Sequence, residues 1–380
     1  MTTLPNGLTV VSENASSTST VSLTFPNAGS ASETISESGA ALANKYISFK
    51  TGAGLSSAII LRNMENDGAT PFATASRHSA TLGYTASKDK AIRLVPLLAI
   101  PSSYAKWDVR DAVKMASIES EAASACAHTT LSESLYAAAY GAQSAMGKSL
   151  YGGSPSAASI ESFRERAYAL NGAVLSATGI DDHESFVKVV EVGFSESNAG
   201  AATSAPSSPF IGGETRIHSS AGYTHVALAF EAGASTPLMN VVKQCITLSS
   251  EGVSGFASGG LVGVYGGSAP SDAAGVTEAL VASITSAPSA DIVERAKGLA
   301  KAEAVFALDG GSQSLAGAMA ASVVESGTFS AAGVAAAYDG ITAKDVAAAF
   351  EAMAKSSPAL AAVGDLSSTP YQGSIAPKFG

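Results

Sequence analysis

Residues Gly39–Gly52, GAALANKYISFKTG, decide how this chain is read. They spell one amphipathic helix followed by a turn. Ala40 to Ala43 are good helix formers, Ser36 or Ser38 can cap the start, and Thr51-Gly52 closes the end. Leu42 and Tyr46 stand four residues apart, on one face of that helix. The same spacing separates the two histidines of an inverted zinc-peptidase motif, H-x-x-E-H. Here the histidine positions hold Leu42 and Tyr46, and the glutamate position holds Lys45. A catalytic zinc needs three side chains with lone pairs and a carboxylate to activate water. Leu42 has no lone pair, Tyr46 is a poor ligand as a neutral phenol, and Lys45 repels a cation. The plain reading is a core helix with one wet edge.

Outward from that helix, Leu4-Pro5-Asn6-Gly7 signals a turn and Leu8–Val11 a short strand. Val21, Leu23 and Phe25 alternate with Ser22 and Thr24, the pattern of a half-buried strand. Ile59–Gly68 reads as a helix and Ala73–Ala86 as two strands. Ile92–Ile100 reads as a helix broken near Pro96 or Pro101. Helices follow at Trp107–Ala127, Leu131–Ala142, Ser159–Leu170 (Ser159 as cap candidate) and His183–Phe194, with a buried strand at Ala173–Gly179. Ser195–Pro209, SESNAGAATSAPSSP, is a stretch of small residues and proline that reads as a linker. It divides the chain into 1–193, a linker at 194–210, and 211–380.

The second part echoes the first. Val226–Phe230 echoes Val21–Phe25, Asp291–Ala296 opens a long helix much as Asp108–Ala112 does, and Ala359–Gly364 echoes Ala173–Gly179. The offset falls from 205 to 185 along these pairs. The second part is therefore shorter by about twenty residues on this repeat reading, with the loss placed around Ser249–Gly260. That glycine-rich stretch lacks a G-x-x-x-x-G-K-[ST] phosphate loop and reads as a flexible connection into a strand at Leu261–Tyr265. Gly310-Gly311 reads as a kink or helix end.

Of 380 residues, 46% are hydrophobic, 14% are charged, and the net charge is −10. An acidic chain of this kind argues against nucleic acid as a partner. Cys126 and Cys245 have no zinc or disulfide spacing and read as buried thiols. No run of about 18 apolar residues marks a transmembrane helix. The start, MTTLPNGLTVV, carries neither a signal peptide nor a transit-peptide pattern. No C-x-x-C-H or iron–sulfur cysteine set appears, so neither haem nor cluster is expected on this chain.

These features together resemble the pitrilysin-type metallopeptidases and their mitochondrial relatives. The family carries a pattern like G-x-A-H-x-L-E-H-x-x-F-K-G-T, and this chain has Gly39, Ala41, Phe49 and Lys50 in that frame. Further likeness lies in Leu4–Leu8, Leu135–Tyr140, Gly212-Gly213-Glu214, Gly260–Tyr265 and Ala362–Leu366. The resemblance implies an α+β fold of two similar domains, each a mixed sheet packed by helices, facing across a cavity. It places Glu119 at the position of the third zinc ligand, where alone it reads as a solvated helix carboxylate like Glu121. It implies no catalytic residue, no metal and no cofactor. The degenerate motif is most like the core-protein 2 branch of the family. That branch implies a scaffold subunit of the mitochondrial respiratory complex III, on the matrix side of the inner membrane. Its implied partners are core protein 1 or a processing-peptidase beta-like subunit, with cytochrome b, cytochrome c1 and the Rieske protein in a dimeric assembly. The alternative is the non-catalytic alpha subunit of the mitochondrial processing peptidase, which binds basic presequences.

Overall fold

Strands and helices follow one another in two series of similar order. The computed structural model describes residues 1–380 except 52–54, 100–103, 196, 198, 202, 203, 205, 221, 234 and 380. The first series is β1 (Thr2–Thr3), β2 (Thr9–Ser12), β3 (Ser19–Pro26), α1 (Ala40–Ile47), α2 (Ser57–Asn66), β4 (Thr70–Ala75), β5 (Ser79–Ala86), α3 (Lys88–Ala91), α4 (Lys106–Ala125), α5 (Ala127–Tyr140), α6 (Ala157–Ala167), β6 (Val174–Ala177) and α7 (His183–Gly193). The second is β7 (Glu214–His218), β8 (Thr224–Glu231), α8 (Thr236–Ser249), β9 (Val253–Ser258), β10 (Leu261–Ser268), α9 (Ala273–Thr285), α10 (Ala290–Asp309), α11 (Ser312–Ser326), α12 (Ala331–Asp339), α13 (Ala343–Ala354), β11 (Ala359–Gly364) and α14 (Gln372–Ile375).

Each series builds one mixed sheet, as an α+β chain should. The sheets run β1-β2-β6-β3-β5-β4 and β7-β11-β8-β10-β9. In both, the first long neighbours are parallel, β2 with β6 and β7 with β11, and the rest pair antiparallel. The echoing segments are neighbours in each sheet: Leu23 faces Leu175, and Leu228 faces Leu360. The repeat read from the sequence is thus a repeat of strand order, with only β1 unmatched.

The shortening falls between α8 and β9, at the start of the stretch where the repeat reading places it. Residues 27–69 separate β3 from β4 and carry α1 and α2; residues 232–252 separate β8 from β9 and carry α8 alone. A helix is missing before β9. The stretch around Ser249–Gly260 is no flexible connection: Val253–Ser258 is a strand paired along β10. Its glycines serve geometry. Gly259 and Gly260 both take positive φ, 53° and 83°, and make the tight turn of the β9–β10 hairpin.

Contacts divide the chain into two compact units that interleave in sequence. Unit 1 comprises residues 1–120, 150–206 and 306–330; unit 2 comprises 121–149, 207–305 and 331–380. Each unit borrows one helix from the other part of the chain. In unit 1, α11 lies on β3 and β6, where Met319, Ala320 and Val323 pack with Val11 and Val174. In unit 2, α5 lies on β11, β8 and β7, and Tyr136 donates to the Ser258 carbonyl. The passage from unit 1 to unit 2 at residues 206 and 207 falls inside the 194–210 stretch, of which 196, 198, 202, 203 and 205 lie outside the described residues.

The borrowed helix changes the reading of β3. Its alternation suggested one wet face, yet Thr20 and Ser22 are fully buried. The hydroxyls pair with one another: Ser22 with Ser176 at 2.8 Å, Thr20 with Thr85 at 2.8 Å, and Thr24 with Thr81 at 3.0 Å. Thr20 also donates to Ser312 Oγ at the start of α11, at 2.8 Å. Short hydroxyl side chains bury well when every one finds a partner.

Smaller corrections have local causes. Ser156, not Ser159, caps α6, because the helix starts at Ala157 and its Oγ accepts from Ser159 N. Cys245 is buried but Cys126 is exposed at the start of α5. The expected helix at Ile92–Ile100 is a 3-10 turn over Ile92–Leu98 with Pro96 inside it; Ile100 and Pro101 lie outside the described residues. The long helices α4 and α10, and the break at Gly310-Gly311 between α10 and α11, fall as read. No helix among the described residues is long and apolar enough to cross a membrane.

Candidate functional site

The decisive helix, α1, is anchored by a carboxylate rather than by a serine cap. Gly39 is its N-cap, with φ of 87°, and no side chain of its own can help. Buried Glu33 reaches over instead, accepting from Gly39 N at 3.0 Å and Ala41 N at 2.7 Å. A negative group at a helix N-terminus satisfies orphan N–H groups and suits the helix dipole. The helix ends at Ile47 because Phe49 takes a positive φ of 61°. The expected closing residue Gly52 lies outside the described residues.

Leu42 is 2% exposed and belongs to the core of unit 1. Lys45 and Tyr46 emerge at the helix edge and meet Glu119 of α4. Lys45 Nζ donates to both carboxylate oxygens, at 2.8 and 2.7 Å, and Tyr46 OH donates to Oε2 at 2.7 Å. The ammonium also lies 5.0 Å from the centre of the Tyr46 ring. So Glu119 is not a solvated carboxylate like its exposed neighbour Glu121; it is 27% exposed and held by three donated hydrogen bonds. Burial, then the hydrogen bond to Glu119 and its charge, push the Tyr46 phenol up to about 12. It stays a neutral donor at any physiological pH. A second link joins the same regions: Thr51 N donates to buried Asp108 of α4 at 3.1 Å.

The arrangement is complete as an ion clamp. One cation and one phenol saturate one carboxylate, and they tie α1 to α4. Among the described residues, no three His, Cys, Asp or Glu side chains gather as a group that could hold a metal. The sequence singled out all four positions, Leu42, Lys45, Tyr46 and Glu119. What it missed is that Lys45 and Glu119, 74 residues apart, bind each other.

Unit 2 holds a separate imidazole–phenol cluster. Tyr265 Oη lies 2.8 Å from His225 Nδ1, Tyr223 packs at 5.0 Å from the His225 ring, and His128 meets Tyr265 edge-on at 5.6 Å. Burial lowers the His225 pKa below its ordinary 6.5, and the nearby His128 charge acts the same way. The folded state then binds fewer protons than the unfolded state as pH falls. The stability this group contributes is complete above pH ~6.5 and is lost as pH drops through the folded value. Unit 2 is expected to melt at a lower temperature on going from about pH 7 to about pH 5, with His225→Asn removing part of the drop. An equal drop in the variant would show that His225 does not carry it. Unit 2 also holds a cavity of about 470 Å³ with Leu238, Met239, Val262 and Met353 in its walls, and Glu231 and Asp345 among its lining.

Comparison with known proteins adds the relationship. Residues 9–153 match the family model "Insulinase (Peptidase family M16)". That stretch of the chain is similar to an M16 domain. The matched stretch contains α1, α4 and the whole clamp. Curated relatives include "Probable mitochondrial-processing peptidase subunit alpha-2, chloroplastic/mitochondrial" of Arabidopsis thaliana, 29% identical over 273 residues, which are 68% of this chain and 53% of the relative. "Mitochondrial-processing peptidase subunit alpha" of Solanum tuberosum is 29% identical over 237 residues, 61% of this chain and 47% of the relative. The chain spans about half the length of the curated relatives it matches. Among solved structures, a chain of "Complex III2 from Candida albicans, Inz-5 bound" superposes with a TM-score of 0.85 at 18% identity, covering 100% of this chain and 99% of that chain. This chain thus shares its fold with that solved chain.

Proposed function

We propose that this protein is a non-catalytic core subunit of the mitochondrial respiratory complex III, supporting its assembly and stability from the matrix side of the inner membrane. The observation that carries the reading is the end-to-end fold match to a chain of a complex III structure, combined with what stands at the peptidase motif. The residues there do not fit zinc. Leu42 offers no donor atom, Lys45 places an ammonium where a cation would bind, and Glu119 already accepts from Lys45 and Tyr46. Hydrolytic chemistry has neither its metal nor its base, so we read the M16 domain as a scaffold. Core protein 1 or a processing-peptidase beta-like subunit is the partner this reading requires. Cytochrome b, cytochrome c1 and the Rieske protein would be its neighbours in a dimeric assembly, with haem and iron–sulfur centres held by those other subunits.

One observation favours a second reading, a presequence-binding alpha subunit of the processing peptidase: the curated relatives carry that description. Against it, that subunit resembles a form with a long, lysine-bearing glycine-rich loop. Ser249–Gly260 has no lysine, carries Glu251 and forms strand β9 with a tight turn. A native gel of the protein from mild detergent, with mass spectrometry of the band, tests both. Co-migration with cytochrome b, cytochrome c1 and the Rieske protein is expected. A smaller heterodimer whose partner keeps an intact H-x-x-E-H, and which binds a basic presequence peptide, would replace the first reading with the second.

A further inference from the structure

The clamp at the M16 motif has a twin in unit 2. α4 and α10 are each 20 residues long, and Glu303 occupies the same place along α10 as Glu119 along α4, the fourteenth position. Lys243 of α8 donates to both oxygens of Glu303 at 2.8 Å, and Gln244 donates to Oε2 at 2.9 Å. The order is the same in both units: a lysine, then directly a neutral donor, both answering one glutamate of the long helix. The helix surroundings match too. Lys45-Tyr46 and Lys243-Gln244 are partly exposed pairs flanked by buried residues at 41, 43, 44 and 47, and at 239, 241, 242 and 245. α1 follows β3 and α8 follows β8, so the pairs sit on equivalent helices of the repeat.

We infer that the lysine–donor–glutamate clamp is one device used in both units, and that in unit 1 the Lys45 ammonium permanently occupies the Glu119 carboxylate, closing it to metal ions. The physical argument is charge balance. Glu119 is 27% exposed and Glu303 56% exposed, so a cation and a hydrogen-bond donor are needed most at Glu119, and the unit 2 clamp is the more solvent-screened copy. Unit 2 places Lys243 and an amide on its glutamate, and the hydrogen bond from Lys243 holds the Glu303 carboxyl below the usual carboxylate range. Unit 1 places Lys45 and a phenol on its own in the same geometry. An ammonium held against both oxygens repels an approaching metal ion and competes with it for the carboxylate charge. The position therefore works as a helix-to-helix fastener, independently of which assembly the chain joins.

Amide hydrogen exchange on the full chain tests this, with zinc chloride as the metal probe. Lys45→Gln should speed exchange of the α4 amides around Glu119 roughly fivefold, the scale of a partly exposed ion pair, and leave α10 unchanged. Lys243→Gln should do the reverse. Lys45→Arg, which keeps the charge, should stay within about twofold of the parent protein. Micromolar zinc should leave the unfolding temperature of the parent protein where it was. Unchanged α4 exchange in Lys45→Gln would overturn the fastener. A zinc-induced rise in unfolding temperature that disappears in Glu119→Gln would overturn the closure, because it would show the carboxylate exchanging Lys45 for a metal.

Discussion

Met319→Ala, a change in the second part of the sequence, is expected to destabilise unit 1 by about 2–4 kcal/mol, the range for truncating a buried methionine. Met319 is fully buried on α11 and packs with Val11 and Val174 of the unit 1 sheet. Its removal leaves a cavity between helix and sheet, lined by Val11, Val174 and Val323, whose short branched side chains cannot fill it. The unfolding temperature of unit 1 should fall by roughly 5–12 °C for a unit of this size. Protease cleavage or hydrogen exchange within β3 and β6 should accelerate correspondingly. Val324 neighbours the same helix face but is 47% exposed, so Val324→Ala should stay within about 0.5 kcal/mol of the parent. If both variants behaved alike, α11 would not be part of the unit 1 core.

Glu33→Ala carries the second large effect. Its carboxylate is buried and accepts two N–H groups at the start of α1. Removing it strands both donors, at about 1–3 kcal/mol for each buried group left unsatisfied. Gly39 cannot compensate, because it has no side chain to cap with. A total loss of about 3 kcal/mol is expected, with α1 the first element to exchange its amides. Glu33→Gln keeps an acceptor oxygen and should cost less than half as much. The check is the order parent, Gln variant, Ala variant in unfolding free energy. Equal losses for the two variants would mean that the charge, not the acceptor, anchors α1.

Much of this fold is legible in the sequence because its elements carry strong periodic signals. Val21–Phe25 alternates, Ala359–Val363 is a continuous apolar run, and the long helices open with Asp108 and Asp291; all became the expected elements. β9 was misread because glycine composition signals flexibility unless the partner strand is known, and hydrogen bonds to β10 turn the same residues into a hairpin. The exposed face of β3 was misread for a related reason. Serine and threonine look wet in a sequence, but paired hydroxyls under a helix are satisfied and dry.

The site divides in the same way. Leu42, Lys45 and Tyr46 are informative as a sequence, since their places in the motif and their chemistry are legible, with Lys45 and Tyr46 on one helix edge. That the edge faces Glu119, and that Lys243 repeats the contact with Glu303 across 60 residues, depends on how α4 packs beside α1 and α10 beside α8. Local sequence by itself determined most of the strands, the helices of the first part, the repeat and the missing donor atoms at the motif, because these follow from side-chain period and chemistry. Only the tertiary structure decided which carboxylate meets which lysine, and that α5 and α11 each complete the other part's sheet. Alanine-rich helices offer similar small faces to any partner, so which sheet they cover is set by long-range packing and not by the helix sequence.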